Sequence, residues 1–332
     1  MRPWLAVLLL AGVLQAADSG NDAATAVRKS LPLLQKAGPD FWRGSGCISC
    51  HSQSLPAMAI STAREQGFPV DEAAAKAAVK QTADYMDARR ERILQGIVPP
   101  GGIDTTSYIL FGLAVEKFPG DEATEASVRY LKFHQSEDGH WQIAVSRPPL
   151  ESSSIEATAV CLRDLQAFAP AAQRDAYAAS VAKAAAWLAT AEPRINEDYA
   201  LKILGLIWAH GSQAAIAQTA AALAKRQQDD GGWRQLPDLE SDAYATGQAL
   251  VALRQAGMKT SDPVYQRGVA FLVRTQAEDG SWHVKTRTEP FQLYFESGFP
   301  YGKDQFISAA GTSWAATALA LAQPVPAKRA AR

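Results

Sequence analysis

Apolar residues recur every three or four positions along most of the chain, and charged or small polar residues fill the positions between them. This spacing puts one apolar stripe along each segment, which is typical of amphipathic helices, whereas half-buried strands alternate every second residue. The sequence has no convincing run of the strand type, and alanine, the strongest helix former, is abundant throughout. We therefore predict an all-α protein.

Three segments share the spaced pattern Leu-x3-Gln-x3-Gly-x-Trp, and each one ends a helix-forming stretch with an Asp-Gly pair, which is a helix stop and turn signal. Their tryptophans are Trp141, Trp233 and Trp282, separated by 92 and 49 positions. These separations fit two periods and one period of a repeat of about 46 residues, a length typical of paired helices stacked in a solenoid or closed ring.

With these three copies of the QW motif, the chain resembles the squalene and hopene cyclases and the β subunits of protein prenyltransferases. The resemblance implies a single-barrel α/α toroid, in which about six inner helices lie inside about six outer helices and enclose a cavity reached from one end. On this scheme the outer helices are expected near 22–37, 71–95, 121–135, 174–191, 212–228 and 262–277. Their inner partners are expected near 53–66, 104–118, 153–168, 197–210, 241–256 and 311–322.

The first residues read as an export signal, because Arg2 precedes an apolar run and small residues that end before Asp18. We predict a signal peptide over 1–17, the toroid over 18–322 and a disordered tail over 323–332, and hence a periplasmic or secreted protein. The apolar run is too short to span a membrane, so we expect no transmembrane segment in the mature chain. The net charge of −1 argues against nucleic acid as a partner.

The segment 47–51 has two thiols three positions apart and a histidine directly after them, which is the attachment pattern of c-type haem. It predicts one covalent haem c bound to Cys47 and Cys50, with His51 as the proximal ligand of the iron. The segment occupies the turn between the first outer and first inner helices.

Other interpretations of the cysteine segment stay open, namely a redox-active disulfide or half of a zinc site. A four-cysteine zinc site is excluded, because Cys161 is the only other cysteine. For the distal side of a haem, His283 and His140 are the candidates, since both lie in QW turns at the end of the ring where the cysteines are expected. The long segment 284–310, rich in aromatic residues, is interpreted as an ordered lid or a plug of the ring.

The inner helices are expected to begin with polar residues. These residues either cap the helices or line an acidic cavity mouth; the acidic ones are Asp104, Glu156, Asp198 and Asp242.

Taken together, these patterns favour an exported c-type haem protein in electron transfer or redox sensing, with a periplasmic redox protein as partner. Two alternatives are a haem enzyme acting on a small molecule in the toroid cavity, and a non-haem binding module or carbohydrate-active protein that uses the inner-ring acids. The resemblance implies terpene cyclisation only with the aspartate-rich DxDD acid of the family. The chain lacks that motif, so cyclase activity is not expected.

Overall fold

The computed structural model describes residues 4–289 and 293–324. Within this part of the chain the structure is almost entirely helical, as the periodicity predicts. The helices are α1 Trp4–Ser45, α2 Leu55–Glu65, α3 Glu72–Asp87, α4 Arg90–Leu94, α5 Gly102–Val115, α6 Glu122–Phe133, α7 Ser154–Phe168, α8 Arg174–Thr190, α9 Asn196–Trp208, α10 Gln213–Ala224, α11 Ala243–Gln255, α12 Pro263–Thr275 and α13 Gln305–Leu321. A π-helical turn, Cys50–Ser54, precedes α2, and two short strands, β1 Trp233–Arg234 and β2 Ser241–Asp242, pair antiparallel.

The helices form two concentric rings, which confirms the predicted α/α toroid. The inner ring runs α2, α5, α7, α9, α11 and α13, and it closes because α13 packs against both α11 and α2. The outer ring consists of α1, α3, α6, α8, α10 and α12, with short α4 beside α6. The inner helices are buried along nearly all of their length, because they face the outer ring on one side and the axis on the other.

Each QW turn is held by the same set of hydrogen bonds. In the second copy, the Trp233 indole donates to the carbonyl of Leu223 over 2.8 Å, and its backbone N–H donates to Thr246 of the next inner helix over 2.9 Å. The Gln227 amide donates to the carbonyl of Val264 on the next outer helix over 2.8 Å. One motif therefore fixes an outer helix to the following helix pair.

The third QW motif closes the ring. Its Gln276 amide donates over 2.9 Å to the carbonyl of Ala26 in α1, so that the last outer helix is bound to the first. Glycine is required in the same turn: Gly280 has φ +91°, and a Cβ there would lie 2.5 Å from the carbonyl oxygen of Lys29. Sequence spacing predicts this turn, but its partner in α1 is fixed only by ring closure.

Three predicted helix boundaries differ from the structure. The outer helix expected at 71–95 is interrupted between α3 and α4. The first outer helix continues past Pro39 to Ser45, and the last inner helix begins at Gln305 rather than 311. The two strands were not predicted, because a two-residue pair leaves no alternating pattern in the sequence.

No helix in the described ranges is long and apolar enough to cross a membrane. The predicted signal peptide falls at the start of α1, and the fold does not test its cleavage. Most of the predicted tail, from residue 325 onward, lies outside the described residues.

Candidate active site

The starts of the inner helices bring acidic and phenolic side chains together inside the ring. Glu156 of α7 and Glu197 of α9 are 1% and 3% exposed. The Tyr108 hydroxyl of α5 donates a hydrogen bond to Glu156 over 2.6 Å, and the Tyr244 hydroxyl of α11 donates one to Glu197. We call these four residues the acid cluster. Both glutamates lie in the first turn of their helices, where the helix dipole favours negative charge.

Ser152 links the two carboxyls of the acid cluster. Its backbone N–H donates to Glu156 Oε2 over 2.8 Å, and its hydroxyl donates to Glu197 Oε2 over 2.7 Å. Glu156 Oε1 also accepts the N–H of Glu151 over 3.0 Å, and Glu197 Oε1 accepts the amide of Gln248 over 2.8 Å. The two carboxyls are thus linked through the backbone N–H and the hydroxyl of Ser152, and both are surrounded by donors.

Burial favours the neutral, protonated forms of the residues in this cluster. It raises the pKa of Glu156 well above its usual value, and the neighbouring Glu197 raises it further. It also raises the pKa of Glu197 to about 7. The phenol pKa values of Tyr108 and Tyr244 are likewise raised by burial, so both remain hydrogen-bond donors. The raised pKa values favour the protonated form of this carboxyl pair, and both side chains are almost completely buried.

The loop between α6 and α7 covers the acid cluster from the N-terminal end of the inner helices. Asp104, near the start of α5, holds this loop by accepting the backbone N–H groups of Ala144 and Val145 over 2.8 and 3.1 Å. Its carboxylate therefore anchors a loop rather than capping its own helix.

The segment before α13 lies over the same opening. Thr288 donates its hydroxyl to the carbonyl of Pro148 in the α6–α7 loop over 2.6 Å. Arg287 donates its Nε–H to Gln235 over 2.7 Å, and Gln235 donates in turn to Asp242 over 2.9 Å. The described part of 284–310 is thus an ordered cover of the ring, as predicted, whereas Phe291, one of its aromatic residues, lies outside the described residues.

The cysteine segment forms a π-helical turn in the wall of the ring. Ser49 caps this turn by accepting the N–H of Ser52 over 3.1 Å. Cys50 is 5% exposed and lies beside Glu151 of the α6–α7 loop, where burial raises the pKa of its thiol well above the usual value. Cys47, by contrast, is partly exposed and lies beside Tyr85 of α3.

His51 packs between two aromatic rings, 5.0 Å from the centre of Phe41 and 4.8 Å from that of Phe306. Its Nδ1 is 2.8 Å from the Ser52 hydroxyl. Burial lowers the pKa of His51 to about 3, and the charge of Arg147 acts in the same direction. The ring is therefore neutral. The two thiols and the imidazole of this segment face three different environments.

The two predicted distal ligands are not brought to His51. His140 stacks on Trp187 and its Nδ1 lies 2.6 Å from Asp138. His283 stacks on Tyr301 and its Nε2 lies 2.8 Å from Asp304. Across the described residues, no group of three or more His, Cys, Asp and Glu side chains is arranged to hold a metal ion.

Of the four predicted inner-ring acids, only Glu156 belongs to the acid cluster. Asp242 caps α11 by accepting the N–H of Ala245, and Asp198 accepts the N–H groups of Arg194 and Ile195, as the capping interpretation predicts. Glu197, adjacent to Asp198, was not predicted as a site residue. The feature that could have identified Glu197 is a glutamate in the first turn of an inner helix that is otherwise buried.

The chain resembles terpene cyclases in sequence and structure. The family model of the squalene-hopene cyclase C-terminal domain matches residues 195–301. The type II terpene cyclase MstE from Scytonema is 17% identical with a TM-score of 0.61, over 91% of this chain and 98% of that one. A variant of MstE in complex with geranylgeranyl dihydroxybenzoate is 14% identical with a TM-score of 0.60, over 92% and 98%.

Two further structures have the same fold. A protein from Actinoplanes is 18% identical with a TM-score of 0.58, over 90% of this chain and 99% of that one. The ent-copalyl diphosphate synthase from Streptomyces platensis is 19% identical with a TM-score of 0.55, over 82% of this chain and 50% of that one. Among curated proteins none matches. These comparisons confirm the α/α toroid and support the predicted resemblance to the squalene and hopene cyclases.

The prediction of a cytochrome c in electron transfer or redox sensing is wrong. Structures of the type II terpene cyclase MstE match this chain over about nine tenths of its length, and the cysteine segment is part of the ring wall, with its side chains directed to separate surroundings. The same findings correct the two alternative predictions, a haem enzyme and a non-haem or carbohydrate-active binding module. Haem c attachment at Cys47 and Cys50 stays a prediction.

The expectation that cyclase activity is absent is also corrected, because a buried acid does not have to come from one short motif such as DxDD. Glu156 and Glu197 are contributed by different helices, so a search for adjacent aspartates cannot find them.

Proposed function

We propose that this toroid is a Brønsted-acid catalyst that protonates an apolar polyene and so starts a cyclisation of the type II terpene cyclase kind. The observation that carries the proposal is the Glu156–Ser152–Glu197 bridge, a buried carboxyl pair whose pKa values are both raised. Protonation of a carbon–carbon double bond needs an acid that is neutral before transfer and stabilised as an anion after it.

The hydrogen bonds around Glu156 meet the second requirement. After proton transfer its carboxylate accepts the Tyr108 hydroxyl and the backbone N–H groups of Glu151 and Ser152, at 2.6 to 3.0 Å. Such fixed donors stabilise charge that develops in the transition state without reorganising solvent.

The interior of the ring suits an apolar substrate. Phe111 of α5 and Trp208 of α9 belong to inner helices that are not neighbours, yet their ring centres are 6.0 Å apart. These two rings therefore contact each other across the interior, and the faces of such rings attract cations. Because Glu156 and Glu197 are closed over by the α6–α7 loop and the segment before α13, substrate entry requires these covers to move.

The test is conversion of a polyene in heavy water. Purified protein is incubated with squalene and with geranylgeranyl dihydroxybenzoate, and products are analysed by mass spectrometry. Each initiation adds one deuteron, so we expect isomeric products whose mass is one unit higher in D2O than in H2O. Absence of any isomeric product from both substrates would contradict the proposal.

Glu156→Gln preserves the shape of the side chain but removes the acidic proton, so we expect product formation to fall about 100-fold or more. The matched control is Glu116→Gln. Glu116 is also a largely buried carboxyl, but it follows α5 and pairs with Arg64 at 2.9 Å, away from the acid cluster. Equal loss of activity in both variants would show that the effect is structural.

A further inference from the structure

Glu151, in the α6–α7 loop, has an unusual backbone. Its φ is +53°, in the left-handed region that glutamate rarely adopts at a cost of about 1 kcal/mol or more. Both of its backbone polar groups are engaged: the N–H donates to Glu156 Oε1 over 3.0 Å, and the carbonyl accepts the N–H of Arg147 over 3.2 Å. The strained residue is therefore bonded directly to the acid cluster.

The side chain of Glu151 is also unusual. It is 1% exposed, and its Oε2 lies 3.0 Å from the guanidinium of Arg147. Its Oε1 is buried and has no hydrogen-bond partner within the described residues. Leaving an acceptor unpaired in the interior costs about 1–3 kcal/mol. An ion-paired carboxylate with one uncommitted oxygen is thus held beside an acid whose proton is transferable.

We propose that Glu151 is the base that ends the reaction by taking a proton from the last carbocation. This inference rests on the proposed function. The proton of Glu156 forms a new C–H bond at the start. At the end a C–H bond next to the cationic carbon breaks, its electron pair forms a double bond, and the proton binds Glu151 Oε1. The net change is an isomerisation, and both carboxyls return to their starting states by proton exchange with water when the site opens.

The two carboxylates have different environments, as this division of roles requires. Burial raises the pKa of both carboxyls. At Glu151 the neighbouring Arg147 opposes this rise, whereas at Glu156 the neighbouring carboxyl Glu197 adds to it. Pairs of acidic groups whose neighbours shift their pKa values in opposite directions are typical of sites in which one group donates and the other accepts a proton.

The test is the product ratio of Glu151→Gln with squalene and with geranylgeranyl dihydroxybenzoate. Without a base the final cation is captured by water. We therefore expect the ratio of hydroxylated to alkene products to rise about tenfold or more, while substrate consumption stays within about tenfold of wild type. The ratio reports on the last step alone, which a purely structural role of Glu151 would not change.

Glu151→Gly is the second variant, because glycine accepts a φ of +53° without strain and retains the N–H bonded to Glu156. It is expected to shift the ratio in the same direction. Glu116→Gln, which changes a buried carboxyl paired with Arg64 away from the acid cluster, is the control with an unchanged ratio. Wild-type ratios in both Glu151 variants would overturn the role of Glu151 alone, whereas no product from the wild-type protein would overturn the proposed function and this inference together.

Discussion

The QW turns and the cysteine turn connect outer to inner helices in the same ring, but with different groups. In a QW turn the link is a glutamine amide and a tryptophan indole. In the cysteine turn the Gln53 amide donates to the carbonyl of Gly38 in α1 over 3.2 Å, and its oxygen accepts the N–H of Ser49 over 2.9 Å. Gln53 thus links its turn to the backbone of an outer helix, as the QW glutamine does.

This difference shows why the cysteine motif misled the functional prediction. A short motif reports the chemistry that its residues can do, whereas their surroundings decide what they do. Cys50 and His51 are packed as wall residues next to the acid cluster. The repeated QW motif predicts correctly because its hydrogen bonds run to the same positions of each repeat.

The largest expected effect on stability comes from the QW tryptophan. Trp233 is fully buried, and both of its N–H groups are hydrogen-bonded. We expect Trp233→Ala to lower the free energy of unfolding by about 3–5 kcal/mol. Trp42→Ala in the cysteine turn, where the indole is half-buried against Tyr85, should cost about 1–2 kcal/mol. Denaturant titration measures both, and equal losses would contradict the distinction between the turns.

The pH dependence of stability should be the next largest effect, and the cysteine turn and the acid cluster should act in opposite directions. The pKa of His51 is about 3 in the folded protein and 6.5 in the unfolded chain. Between these pH values the unfolded chain binds one proton more than the folded protein, so stability falls as pH falls. The pKa of Glu197 is about 7 in the folded protein and 4.5 in the unfolded chain. Between these pH values the folded protein binds one proton more than the unfolded chain, so stability falls as pH rises.

The two trends overlap between pH 4.5 and 6.5 and partly cancel in the wild type. We therefore expect His51→Phe to become more stable on acidification through this window, and Glu197→Gln to become less stable. Each change amounts to a few kcal/mol at most. Denaturant titrations at several pH values measure it, and parallel curves for the two variants would show that these groups do not titrate as described.

The smallest effect tests whether the two glutamines are equivalent. Gln227→Ala leaves two backbone carbonyls without their amide donor, and Gln53→Ala leaves one carbonyl and one N–H unpaired. We expect each substitution to cost about 1–3 kcal/mol, with similar values. A negligible cost at Gln53 would mean that the cysteine turn is held by other contacts.

The parts of this protein that depend on local interactions were predictable from the amino-acid sequence. Helical periodicity and the three QW motifs predicted the rings, because most hydrogen bonds of the QW turns join groups at a fixed spacing along the chain or one repeat away. Capping by Asp242 was predictable for the same reason.

The composition of the site depends on tertiary contacts that the sequence pattern does not show. Glu156 and Glu197 lie on different helices and are linked through Ser152. The α6–α7 loop brings Glu151 beside Glu156. The raised pKa values follow from burial, which depends on every segment that covers the cluster and not on the residues beside it in sequence. Closure of the ring through Gln276 and Ala26 is likewise a contact between the two ends of the toroid, which no local pattern encodes.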